Sequence, residues 1–142
     1  MKLLKIVSIL LMMMLLSILL SACSGAAINA WWNGVAYNPK AVNPSLAQVQ
    51  YFLSIDGTCD QMYSSSFTCV NFAHMLQQHA EDIEGLRCAV VILSGVGEGH
   101  EMDAFQTTDD GLIYVEPQED SIVSNFEVQS EWGENNIDVI FP

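Results

Sequence analysis

Two helical stretches followed by a series of short β-rich runs predict an α+β domain, with N-terminal helices packed on a small antiparallel sheet. The first observation is a change of period. Apolar residues recur every three or four positions as far as Ile83, whereas from Leu86 onward they come in short continuous runs. The second is the turn sequence Thr108-Asp109-Asp110-Gly111 between two of those runs, which signals an antiparallel hairpin.

Each element can be justified in chain order. Lys2 and Lys5 precede an uncharged run from Ile6 to Leu20, and the small residues Ser21 and Ala22 lead to Cys23. Residues 1–22 therefore read as an export signal. The run is shorter than the roughly 20 residues a membrane-spanning helix needs. The quartet "LSAC" is similar to the lipobox of bacterial lipoproteins, which implies cleavage before Cys23, lipidation of its thiol and attachment to the cell membrane or outer envelope. Residues 23–42 are small, polar and turn-rich apart from Trp31 and Trp32, as expected of a tether that docks late onto the domain at 43–142. In "NPSLAQVQYFLSID", Asn43 is placed as the cap and Pro44 as the first helical position, with Leu46, Val49, Phe52 and Leu53 on one face and an end near Ile55.

"DGTCDQMYSSS" is loop by composition. A second helix is expected from Ser66 or Phe67 to Glu84, because Cys69, Phe72, Ala73, Leu76, Ala80 and Ile83 share a face; Gly85 is its stop. "LRCAVVIL" is a strand buried on both faces, and "HEMDAFQT" and "LIYVEP" are the arms of the hairpin. The tail from Asp120 is expected to add a helical turn and a closing strand, "NIDVIF".

Charge and compartment narrow the function. Loss of the signal leaves Lys40 and Arg87 against 17 acidic residues, a formal charge of −15. Such a surface repels nucleic acid and anionic lipid and favours neutral or cationic substrates. With Cys23 acylated, three thiols remain: Cys59, Cys69 and Cys88. An oxidising compartment allows a Cys59–Cys88 disulfide, and a buried free thiol is the other reading of Cys88.

Cys69 carries the chemistry. A cysteine in the first turn of a helix meets the positive end of the backbone dipole, which favours thiolate. His100, after the flexible "GVGEG", opens the strand expected beside that helix start, where a neutral imidazole takes the thiol proton and returns it to a leaving amine. Glu116, across the hairpin, is placed to fix the imidazole tautomer. With the turn centred on Asp109 and Asp110, these two lie two or three rungs from direct opposition, so a bulge or register shift is expected. Candidate donors for an oxyanion are the Cys69 backbone N–H and, from the preceding loop, Gln61 or Tyr63.

The run "TCVNFAHMLQQHAEDIEGLRCAVVIL" followed by "GHEMDAFQTTDDGLIYVEP" resembles the transglutaminase-like branch of the papain-like cysteine hydrolases. The resemblance covers Phe67 to Pro117. It implies a papain/transglutaminase-like core, Cys69 as nucleophile, His100 as base, Glu116 as the orienting acid, and peptide or protein amide bonds as substrate, with no cofactor or metal. The sequence departs from the branch pattern in having Glu116 where aspartate is usual and Asp103 where asparagine is common.

Each site residue also has a plainer reading. Cys69 is then a packed core thiol, His74 and His79 are surface residues, and Glu98, Glu101 and Asp103 are solvated acids that favour the charged form of His100. Asp109 and Asp110 are turn residues, and Trp31, Trp32 and Trp132 either line a binding groove or, on the plainer reading, pack between tether and domain. An inactive binding or assembly module of the cell envelope is the functional alternative.

Overall fold

The computed structural model describes residues 35–95 and 99–142. The export signal, Cys23, Trp31, Trp32 and Glu98 lie outside the described residues. Among the described residues, no helix is long and apolar enough to cross a membrane.

Helix α1 spans Leu46–Ile55. Its cap is Ser45 rather than the expected Asn43: the Ser45 hydroxyl accepts the Gln48 N–H, and the Gln48 side-chain oxygen accepts the Ser45 N–H at 2.8 Å. This reciprocal pair places Pro44 outside the helix, because the residue with a side-chain acceptor for the first turn sets the start. A distant residue assists. Asp109 accepts the Leu46 N–H at 2.8 Å, so an acid expected only to shape a turn also caps a helix.

Helix α2 spans Cys69–Gln78 and starts two or three residues later than its apolar period suggested. Thr68 is extended, at φ −106° and ψ −176°, and its N–H and hydroxyl both donate to Asn71 Oδ1, at 2.9 and 3.3 Å. Cys69 is therefore the first helical residue. The helix continues as a wider π-helical turn, His79–Glu84, and ends at Gly85, whose φ of 67° suits the residue that closes it.

Five strands follow: β1 (Ala89–Leu93), β2 (His100–Gln106), β3 (Leu112–Glu116), β4 (Ser121–Val123) and β5 (Ile137–Ile140). They form one antiparallel sheet in the order β4-β3-β2-β1-β5. β4 was not foreseen, since three residues with one exposed apolar side chain leave little pattern to read. Helix α3 (Asn125–Trp132) carries the chain across the sheet before β5 pairs with β1.

The register sorts side chains onto two faces. On one, Val90, Asp103, Phe105, Ile113 and Val115 lie beneath α1 and α2, where Val49, Phe52, Leu53 and Leu76 complete a core; Phe52 and Phe105 meet edge to face at 6.2 Å. On the other, Ala89, Val91, Leu93, Met102 and Tyr114 are covered by Val128 and Trp132 of α3. Residues 35–42, the end of the stretch expected as a tether, are packed on the domain. Val35 touches Val90, the buried Gln77 side chain binds the Ala36 backbone at 2.7 and 2.8 Å, and Glu81 accepts the Asn38 N–H at 3.2 Å.

Asp103 is not a solvated acid. It is fully buried, its carboxyl 3.8 Å from the Cys88 sulfur, and burial pushes it well above the usual carboxylate range. The strand alternation that turns His100 to one face turns Asp103 into the opposite core.

Candidate active site

Cys69 and His100 meet at one end of the sheet, where β1 ends, β2 begins and the start of α2 overhangs both. They line a common pocket of about 270 Å³ with Val70, Leu93, Gly99 and Glu101. Gly99 makes the entry into β2 possible. Its φ is 78°, and a Cβ there would stand 3.1 Å from the Leu93 carbonyl oxygen. A side chain would be strained by both the backbone angle and the space.

His100 is the hub. Its Nε2 lies 2.6 Å from Glu116 Oε2, and the Cys69 side chain is near enough to add to the rise of its pKa. With Nε2 engaged by the carboxylate, Nδ1 is the ring nitrogen that Glu116 does not hold. The hairpin needs no bulge to achieve this. Asp103 pairs with Val115, so continuing the ladder sets Met102 opposite Glu116 and leaves His100 one diagonal step away on the same face. Diagonal neighbours are about 7–8 Å apart at the backbone, within reach of two long side chains. The longer glutamate is suited to that span.

The carboxylate is held at both oxygens. Glu116 Oε1 accepts the backbone and side-chain N–H groups of Gln118, each at 3.2 Å. Burial pushes the Glu116 carboxyl up, but the His100 hydrogen bond and charge together with Gln118 more than offset it, and the net direction is down. The His100 imidazole is raised to about 9, chiefly by its hydrogen bond to Glu116; burial opposes this, and the Glu116 charge and the Cys69 sulfur add to it. The ring is therefore a cation at neutral pH, not the neutral base expected from the sequence. Glu116, rather than Glu101 or Asp103, is what holds it so.

Trp132 lies over the imidazole, ring centroids 6.3 Å apart and planes 18° from parallel. An aromatic face beside a cation is favourable. The sequence offered Trp132 as the lining of a groove or as tether packing, and it lines a groove beside His100. Gln118 was passed over, its only cue being its place two residues after Glu116.

The expected side-chain oxyanion donors, Gln61 and Tyr63, are not among the residues lining the Cys69 pocket. Gln61 Nε2 donates to the Gly57 carbonyl at 3.5 Å, and Tyr63 stacks on Phe72 at 6.4 Å. The backbone N–H groups of Cys69 and Val70 belong to the first turn of α2. The two histidines read as surface residues have acidic partners: His74 lies 3.5 Å from Glu101, and His79 Nδ1 lies 2.5 Å from Asp56.

All three described cysteines are free, so the Cys59–Cys88 disulfide is not formed. Their surroundings differ. The Cys59 thiol is pushed up to about 11, first by its hydrogen bond to Asp120, then by burial and neighbouring acids. Burial pushes Cys88 up as well, with Asp103 and Glu81 adding to it. Cys69 is the cysteine with an imidazole against it.

Comparison with solved structures bears on the fold. The chain is similar to a protein solved as a "PSL1a-E64 complex", with a TM-score of 0.53 and 15% identity over 70% of this chain. It is also similar to a lectin of Polyporus squamosus solved bound to the human-type influenza-binding epitope Neu5Aca2-6Galb1-4GlcNAc, with a TM-score of 0.52 and 16% identity over 72% of this chain. The chain spans 39% and 37% of the length of those two chains. No family model matches it. No curated protein matches it.

Proposed function

We propose that the chain is a membrane-tethered thiol enzyme with a papain/transglutaminase-like core, acting on amide bonds of peptides or proteins by hydrolysis or acyl transfer. One observation carries this reading: a single imidazole is held by a carboxylate at 2.6 Å and lines one pocket with a helix-initiating cysteine. The attacking form is the Cys69 thiolate beside the His100 imidazolium. Sulfur adds to the carbonyl carbon, the carbonyl electron pair moves to oxygen, and the first-turn amides of α2 face that oxyanion. His100 then gives its proton to the amine nitrogen as the carbon–nitrogen bond breaks, leaving a thioester on Cys69. The now neutral ring accepts a proton from water or a second amine as it attacks the thioester, and the sulfur leaves with the electron pair. Glu116 keeps the ring oriented through both transfers. The lipid anchor on Cys23 belongs to the same proposal.

Two features favour a second reading, a binding module of the cell envelope without turnover. The acid is a glutamate, and one of the structural neighbours is a lectin solved with a glycan epitope bound. Alkylation by iodoacetamide near neutral pH separates the two. The enzyme reading expects fast modification confined to Cys69 and slowed at least tenfold by His100→Ala. A Cys69 no faster than a free thiol, or a rate that ignores His100, leaves the binding module.

A further inference from the structure

His100 is the wall between two cavities. Beyond it from Cys69, on the face covered by α3, lies a groove of about 370 Å³. Its floor is apolar, formed by Leu93, Met102 and Val128, with the Trp132 ring on one side. Its rim carries two exposed carboxylates, Glu119 and Glu131, contributed by different elements, the loop between β3 and β4 and helix α3. Neither is in an ion pair among the described residues, and no lysine or arginine lines the groove.

A cavity with an apolar floor, an aromatic wall and an unneutralised acidic rim is complementary to a particular kind of side chain. A lysyl or arginyl residue lays its methylene stem on apolar surface while its charged head stays near water and acids. Its cation also gains from an indole face. An anionic group would meet the two rim carboxylates and Glu116, and the cation in the wall, His100, is already paired with Glu116. The groove also lies next to the ring that protonates the departing amine, so it adjoins the amine side of the bond being broken.

We infer that this groove is a subsite for a cationic side chain, lysyl or arginyl, on the amine portion of the substrate. It deepens the thiol-enzyme reading above and rests on it for the identity of that amine, while the binding itself is testable without turnover.

The binding arm uses the full exported domain carrying Cys69→Ala, titrated with argininamide and with norleucinamide, its uncharged counterpart of similar stem. Trp132 fluorescence is the readout, with Trp132→Phe identifying its signal. Argininamide is expected to bind about fivefold more tightly, as two partly solvated carboxylates allow, and Glu119→Gln with Glu131→Gln should abolish the difference. Equal binding of the two amides, no binding of either, or a preference that survives the double substitution overturns the inference. The transfer arm uses the unsubstituted enzyme with p-nitrophenyl acetate. Cys69 takes the acetyl group as p-nitrophenol leaves; the α-amine of argininamide then forms the amide bond as the carbon–sulfur bond breaks, with its proton passing to His100. Cationic binding with neither acetyl-argininamide nor p-nitrophenol release above that of Cys69→Ala would sink the enzyme reading and leave the cation site. Acetyl transfer that is indifferent to charge would sink the cation site and leave the enzyme.

Discussion

Replacing Glu116 with glutamine removes one charge from a site whose electrostatics follow from a single contact. In the native protein the His100 imidazole is raised from 6.5 to about 9, with Glu116 the largest cause and burial acting against it. Glutamine preserves the size of the side chain but neither charge nor carboxylate, so the imidazole should fall toward 6.5. At pH 7.5 the protonated fraction should drop from about 97% to about 9%. Nitrogen-15 NMR of the ring reads this directly. The same change appears in stability. Both side chains are less than a quarter exposed, at 23% and 19%, so the rise to about 9 corresponds to about 3 kcal/mol.

The direction with pH is fixed by linkage. A raised histidine contributes its full stabilisation below 6.5 and loses it as pH climbs through 9. The lowered Glu116 contributes above its ordinary 4.5 and loses it as pH falls. These are two views of one contact, and their common plateau lies between 4.5 and 6.5. Urea unfolding at about pH 6 and pH 9.5 should therefore show a loss of about 3 kcal/mol in the native protein that is absent in Glu116→Gln. If the glutamine variant still titrates near 9, or loses as much stability as the native protein over that interval, the contact does not hold the imidazolium and the reasoning fails.

Asp103→Asn should stabilise the domain increasingly above pH 4: a buried acid with a raised pKa is neutral and harmless below its unfolded value of 3.8 and costs stability as pH rises. Urea midpoints at acidic and neutral pH test this, and a variant less stable at every pH would refute it. Phe105→Ala removes a fully buried ring and its edge contact with Phe52, and denaturant unfolding should show a loss of about 3–5 kcal/mol. Gly99→Ala forces a side chain into a φ of 78° against the Leu93 carbonyl. A cost of about 1–2 kcal/mol and slower Cys69 alkylation are expected, since the same backbone aims His100. Ser45→Ala should cost about 1 kcal/mol by thermal unfolding through loss of the α1 cap.

The architecture was legible because it rests on short-range pattern. Helical spacing and the stop at Gly85 marked α2, the continuous run at Ala89–Leu93 marked a central strand, and the Asp-Asp-Gly turn marked the hairpin. Cys69, His100 and Glu116 could be singled out for the same reason, each standing at the end of a recognisable element. The cap at Ser45 and the start of α2 at Cys69 were misplaced, because a side-chain hydrogen bond decides them and apolar period does not.

What the sequence determined by itself is the order of the elements other than β4, the acidic surface, and the three side chains worth examining as a site. Tertiary structure alone decided that His100 and Glu116 meet on a diagonal, that Trp132 comes from the far end of the chain to cover them, and that Asp103, three residues from His100, is buried on the opposite face. Those outcomes depend on strand register and on which face each residue takes. A one-residue slip would exchange the two faces, and the packing of whole helices against the sheet is what forbids it.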